Sequence, residues 1–417
     1  MLVLYMTNYL IKAAETGTYI VGFASLRSGL EAVFGPMAVQ PFASQIYGIY
    51  TGFVYFTPFF GGILADRVFG QRKTVVLGAV LMAIGHFLMA FEKFFLVALV
   101  FLILGNGCFK PNISTQVGRL YEQGDPRRDG AFTIFYMGIN LGAFFSPLVC
   151  GTLGQVYGWH YGFGAAGIGM VIGLIVYLLG QPYLAPDSLM DRSAGKKADE
   201  PLTAKEWKAI AGLVVLCALN IVFWGVYEQQ GNTIQLFADQ NADWHVFGWE
   251  MPSTWFQSIN PAFIFLLAPL LNMVWSKQAT KKKEPSSVAK MAIGCFLLGG
   301  SFLVLMYAVS GVSLTTKISF LWLVGCTLIY TLGELYLSPI GLSLVTKVAP
   351  ARLVSMLMGM WFLSSFFGNY LSGYLGTYYE TMSKESFFLM LTVLGVISGG
   401  AIFALGAPLK KAMGSEV

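Results

Sequence analysis

Apolar and polar positions along this chain fall in blocks rather than in alternation. Apolar runs near the length that lets a helix cross a bilayer, about 20 residues, lie at 43–65, 74–91, 94–118, 131–155, 162–180, 207–237, 253–276, 288–309, 318–346, 353–376 and 386–407. Short polar segments separate them. The opening "MLVLYMTNYLI" covers about half a span and reads as the end of a first helix whose beginning is absent. A signal peptide is the rival reading, but the basic n-region and small-residue cleavage site are missing. The pattern predicts twelve membrane helices, the first incomplete. Within the long connection 12–42, "VGFASLRSGLEAVF" carries apolar residues at helical spacing and predicts a short interfacial helix.

Composition agrees with this pattern. Hydrophobic residues make up 56% of the 417 and charged residues 11%, against about a quarter charged in soluble domains. Mean hydropathy is +0.66. Too little polar surface remains to solvate a globule, which excludes a soluble enzyme or a nucleic-acid-binding domain. The five cysteines lie inside apolar runs without metal-ligand spacing and read as small hydrophobes.

Charge orients the spans. Arg67, Arg72, Lys73, Arg119, Arg127, Arg128, Arg192, Lys196, Lys197, Lys205 and Lys208 fall in one set of alternate loops, with Lys277, Lys281, Lys282, Lys283, Lys290, Lys347, Arg352, Lys410 and Lys411. These are twenty of the 26 Lys and Arg; the opposite loops hold five, and Lys110 sits inside a span. By the positive-inside rule the rich side, with both termini, faces the cytoplasm. Residues 181–206 are polar and proline-bearing and separate two groups of six spans. The expected organisation is an N-terminal bundle over 1–180, a cytoplasmic linker over 181–206 and a C-terminal bundle over 207–417. That is the layout of an all-α integral membrane protein with the major facilitator fold, twelve helices in two six-helix bundles.

Three ionisable residues cannot be placed in loops: Lys110 in span 4, Glu228 in span 7 and Glu334 in span 10. A central charge costs about 2.5–3.5 kcal/mol on insertion scales, so each needs a reason. In a six-plus-six carrier, spans 1, 4, 7 and 10 line the cavity, and all three charges fall in that set. One reading is a structural ion pair that locks two helices. The other is a working set, favoured because one lysine against two carboxylates leaves one acid free to take a proton. Pro111 follows Lys110, lacks an N–H, and so deprives the Gly107 carbonyl of its helical donor. Gly105 and Gly107 add bendability and permit close backbone approach.

At these residues the chain resembles the proton-dependent oligopeptide transporters. The stretch "GGILADRVFGQRK", with Gly62, Asp66, Arg67, Gly70 and Arg72, is similar to the loop motif between spans 2 and 3 throughout the major facilitator superfamily. More specific are "GNGCFKPNIS", "DPRRDGAFTIFYMGINLGAFFSP", "FWGVYEQQGN", "WFQSINPAFI" and "LGELYLSPIGLS", in the family's order and in both halves. The resemblance implies that Lys110 attracts a peptide carboxylate and Glu334 the amino group, the two also forming a gate pair. It makes Glu228 the proton-responsive carboxylate, with Lys110 and Glu334 sharing in the coupling. Asn140 and Asn260 would bond the peptide backbone and termini, and Tyr55, Trp224 and Trp361 would line side-chain pockets. Packing or lipid-facing roles for the aromatics, and interhelical hydrogen bonds for the two asparagines, remain open on the residues alone. The family's Glu-x-x-Glu-Arg pattern of span 1 is absent, and we read the start as trimmed or late. Animal members carry a histidine where Gly48 stands, which makes this chain resemble the bacterial type.

The function expected is therefore a proton-coupled symporter of di- and tripeptides, working by alternating access in a bacterial inner membrane. It is expected to be no enzyme and to need no cofactor, metal or nucleic acid beyond the proton gradient and the bilayer; its oligomeric state is left open, a monomer being assumed. Alternatives are a carrier for another zwitterionic or anionic solute, such as nitrate or an amino-acid conjugate, and a non-transporting sensor.

Overall fold

The computed structural model describes residues 1–121, 125, 127–187, 202–312, 316–350 and 353–413. Most of the polar linker, with Arg192, Lys196 and Lys197, lies outside the described residues, as does Arg352. The chain divides into two compact units, Met1–Gly195 and Lys196–Val417.

The first unit opens with helix α1 over 2–15, whose middle turn Met6–Leu10 is π-helical. Tyr5 anchors α1, its ring 5.3 Å from Phe95 and 5.1 Å from Phe163. The short helix expected in the following connection is α2 (Phe23–Phe34). Then come α3 (Val39–Phe69), α4 (Gln71–Leu88), α5 (Phe95–Arg119), α6 (Arg127–Ser146) and α7 (Trp159–Gly180). Two π turns, Pro147–Gly151 and Leu153–Tyr157, prolong α6.

The second unit holds α8 (Ala204–Tyr227), α9 (Thr233–Asn241), α10 (Phe256–Thr280), α11 (Ser287–Val309), α12 (Leu321–Val348), α13 (Val354–Gly376), α14 (Lys384–Ala404) and α15 (Gly406–Met413). A capping box starts α8: Thr203 accepts from the Glu206 N–H, and the Glu206 carboxylate accepts from the Thr203 N–H. Serines 286 and 383 cap α11 and α14 in the same way from one side. Two-residue ladders close the connections: β1 (Ala242–Asp243) pairs parallel with β4 (Ile318–Ser319), and β2 (His245–Val246) antiparallel with β3 (Trp249–Glu250).

Among the described residues, nine helices are long and apolar enough to cross a membrane. Helices α4 and α13, of 18 and 23 residues, occupy the second and tenth apolar runs, the third and eleventh spans. All five cysteines are free and buried.

Glycine seams decide how closely these helices pack, because lipid tails supply no hydrophobic drive between them. In the first unit, a β-carbon on Gly78 of α4 would lie 2.7 Å from the Gly105 carbonyl of α5. One on Gly61 of α3 would collide with the Gly107 carbonyl. In the second unit, a β-carbon on Gly294 of α11 would lie 2.7 Å from the Gly333 carbonyl of α12. The third and fourth spans and the ninth and tenth are thus built alike. Their sequences agree too: "LGNGCFKP" at 104–111 and "LGELYLSP" at 332–339 share the Leu-Gly pair and a proline six residues after the glycine. Helix α5 runs unbroken through Pro111, and Gly105 and Gly107 let its neighbours approach closely.

Candidate functional site

In the first unit, α5 carries Lys110 and α3 carries Tyr55. The Lys110 ammonium stands 4.5 Å from the centre of the Tyr55 ring, a cation–π contact. The position of Lys110 is fixed by the polar groups around it. Pro111 frees the Gly107 carbonyl, which packs against Gly61 where a side chain would not fit. One residue further, Asn112 Nδ2 donates to the Gly61 carbonyl at 3.2 Å and to the Cys108 carbonyl at 2.8 Å. Asn106 Nδ2 donates to the Val54 carbonyl at 2.9 Å, and Thr57 Oγ1 to the Ile103 carbonyl at 2.8 Å. These side chains stitch α3 to α5 on both sides of the lysine. Asn140 of α6 is buried and donates to the Tyr136 carbonyl of its own helix at 3.0 Å.

The loop motif splits into two parts. Asp66 and Arg67 are exposed in the π turn Ala65–Phe69, and Gly62 has open space beside it. Gly70 and Arg72 instead hold the chain beyond α7. Gly70 takes φ +79°, and a β-carbon on it would press on the Asp187 carboxylate at 2.5 Å. The Arg72 N–H donates to Asp187 Oδ1 at 2.9 Å, its Nε to the Ala185 carbonyl at 3.0 Å, and its guanidinium also reaches the Leu184 carbonyl.

In the second unit three helices converge on Glu334. It sits at the middle of α12, and Asn260 of α10 donates to its Oε2 at 2.9 Å. The same Asn260 Nδ2 donates to Thr331 Oγ1 at 3.0 Å, while Thr331 gives its own proton to the Thr327 carbonyl at 2.7 Å. An amide nitrogen has two donors, and both are committed. From the seventh span come Trp224 and Tyr227, their rings 5.2 Å apart edge to face. Tyr227 stacks on Tyr330 of α12 at 4.7 Å and 12°. Glu228 follows at once, where α8 gives way to a 3-10 turn, Glu228–Gln230. A continuous helix over 207–237 was expected; the seventh span is in fact broken at its acid. Trp361 of α13 is 2% exposed and packs against Gly341 of α12.

Sequence reasoning missed Tyr227, Tyr330, Thr331 and Gly61. The interval of four from Tyr330 to Glu334, which places both on one helix face, was the available signal.

Relatives of known character share this arrangement of spans. A model described as the POT family matches residues 72–197 and 196–390. A peptide transporter of Yersinia enterocolitica subsp. palearctica is 35% identical, across 89% of this chain and 86% of its own. A di-/tripeptide transporter of Lactococcus lactis subsp. cremoris is 30% identical, across 89% of this chain and 87% of its own. A solved peptide transporter POT in complex with sulfate aligns with a TM-score of 0.82 at 29% identity, covering 99% of this chain and 95% of that one. The helical units and these matches define a multi-pass membrane protein with the major facilitator fold. Within that class, the chain belongs to the POT family.

Proposed function

We propose that this protein is a proton-coupled symporter that imports di- and tripeptides by alternating access. The observation that carries the reading is Glu334, an acid at mid-helix oriented by an interhelical amide. A charge so placed is costly, and a carboxylate oriented by neighbouring donors suits a ligand for an ammonium group. Lys110, the lone cation of the apolar core of α5, supplies the opposite charge for a carboxylate. A peptide of variable side chains has those two ends in common, so two fixed unlike charges can hold many peptides. Glu228, at the break in the seventh span, is assigned the transported proton. The relatives named as peptide and di-/tripeptide transporters support the substrate class. We place the protein in the inner membrane of a bacterium with both termini cytoplasmic, its two bundles working as the halves of the carrier.

Proteoliposomes of the full chain test this directly. A pH gradient, acid outside, should drive accumulation of a labelled dipeptide, and unlabelled tripeptide should compete with it. Lys110→Ala and Glu228→Gln should each abolish the accumulation. Retention in both variants would overturn the assigned roles. Competition by nitrate or an amino-acid conjugate, but not by dipeptide, would overturn the substrate class.

A further inference from the structure

The C-terminal end of α10 gathers positive charge that the proposed function does not use. Lys277, Lys281, Lys282 and Lys283 are all exposed, and none joins an ion pair among the described residues. Glu284 is the sole acid between Glu250 and Glu334, and it is committed. Its carboxylate holds the ammonium of Lys290, a lysine 6% exposed, which also stands 4.2 Å from the centre of the Trp275 ring. The turn between α10 and α11 is fixed at its other side too. The Lys283 N–H donates to the Gln278 carbonyl at 2.8 Å and the Lys282 N–H to the Ala279 carbonyl at 2.9 Å, the two bonds of a Schellman end. Lys282 takes the left-handed position of that motif, φ +53°, where glycine is usual and a side chain is strained. Just before the lysines, Leu270, Met273 and Val274 are exposed, and Lys277 continues their helix face.

We propose that this end of α10 is a binding site for an anionic phospholipid of the bilayer. The apolar turns at 270–274 take the acyl chains, and the four ammonium groups take the phosphate at the level where the span ends. Four cations beside the end of a spanning helix attract anionic lipid strongly. The Schellman bonds and the Glu284–Lys290 pair hold the turn beforehand, so little order has to be gained on binding. Glycine at 282 would close the same turn with less strain; what lysine brings there is its charge. The site requires only that α10 spans the bilayer, and it stands or falls apart from the symport reading.

Lipid retention by the full chain tests the site. The protein is equilibrated in mixed micelles with equal amounts of phosphatidylglycerol and phosphatidylcholine, and native mass spectrometry reads which lipid stays bound. Each lysine removed should weaken phosphatidylglycerol retention about fivefold, the worth of one cation near an anionic surface. The triple variant Lys277→Gln, Lys281→Gln, Lys283→Gln should therefore lose the preference over phosphatidylcholine. The pair Lys410→Gln, Lys411→Gln on α15 should keep it, and glycerol phosphate, which has no acyl chains, should not compete. Lys282→Gly should weaken retention, while its unfolding midpoint in phosphatidylcholine stays level or rises. A preference that survives the triple variant would overturn the proposal. Equal loss in the α15 variant, competition by glycerol phosphate, or a lowered midpoint for Lys282→Gly would overturn it as well.

Discussion

The amide of Asn260 joins Thr331 to Glu334, and removing either end has a cost that can be worked out. Thr331 has given its proton to the Thr327 carbonyl, so toward Asn260 it can only accept. Thr331→Val therefore leaves one Asn260 N–H without an acceptor, at about 1–3 kcal/mol for a buried donor. Asn260→Ala removes a hydrogen bond to a charged acceptor, about 1.5–3 kcal/mol. Glu334 is only half-buried, and water makes up part of that loss, so the lower end applies. The expected loss of folding stability is therefore about 1.5 kcal/mol for Asn260→Ala. The two losses should not add. With Asn260 already alanine, Thr331→Val strands no donor and should cost under about 0.5 kcal/mol, the ordinary tolerance of additivity. Unfolding free energies of the purified single and double variants measure the cycle. Full additivity would refute the committed-donor argument even if both single variants are destabilised.

Two further outcomes follow from other parts of the molecule. Gly61→Ala drives a methyl group into the Gly107 carbonyl and should destabilise by about 1–3 kcal/mol, seen as a lower unfolding midpoint. Gly62→Ala, with open space, is the control, and equal midpoints would sink the seam reading. On α2, the Arg27 guanidinium at 3.0 Å and the Met37 N–H hold the Glu31 carboxyl below its ordinary value. A depressed folded-state value means the contact contributes fully above the ordinary glutamate range and is lost as pH falls through the lower folded value. Protection factors over 23–37, the intrinsic exchange rate divided by the observed rate at the same pH, should therefore fall on acidification. Glu31→Gln should remove that extra acid dependence, and matching profiles would contradict the assignment.

Much of the architecture was legible because burial in lipid leaves few alternatives. A run of twenty apolar residues has one stable form, so the order of helices followed from the pattern, including α2. Lys110, Glu228 and Glu334 stood out for the same reason: a charge in such a run is costly and conspicuous. Asn260 was marked by the proline beside it. Tyrosine and threonine carry no comparable mark, since both are ordinary in apolar helices. The bond from Asn260 to Thr331 and the stack of Tyr227 on Tyr330 depend on the contacts of α10 and α8 with α12, which no local pattern contains. The break at Glu228 was hidden because apolarity continues on both sides of it. Gly105 and Gly107 were visible, but whether they bend a helix or admit another depends on Gly61 and Gly78, far away in the sequence.

The seam shared by the two units has a last consequence, for symmetry. Laying Gly105 on Gly333 and Pro111 on Pro339 sets Asn106 against Glu334 and Ser338 against Lys110. The cation and the anion thus stand at different heights of one repeated frame, a turn of helix apart, about 6 Å. This frame departs from likeness at two of its positions, once toward a base and once toward an acid, so a duplicated pattern of glycine and proline carries opposite charges in its two copies.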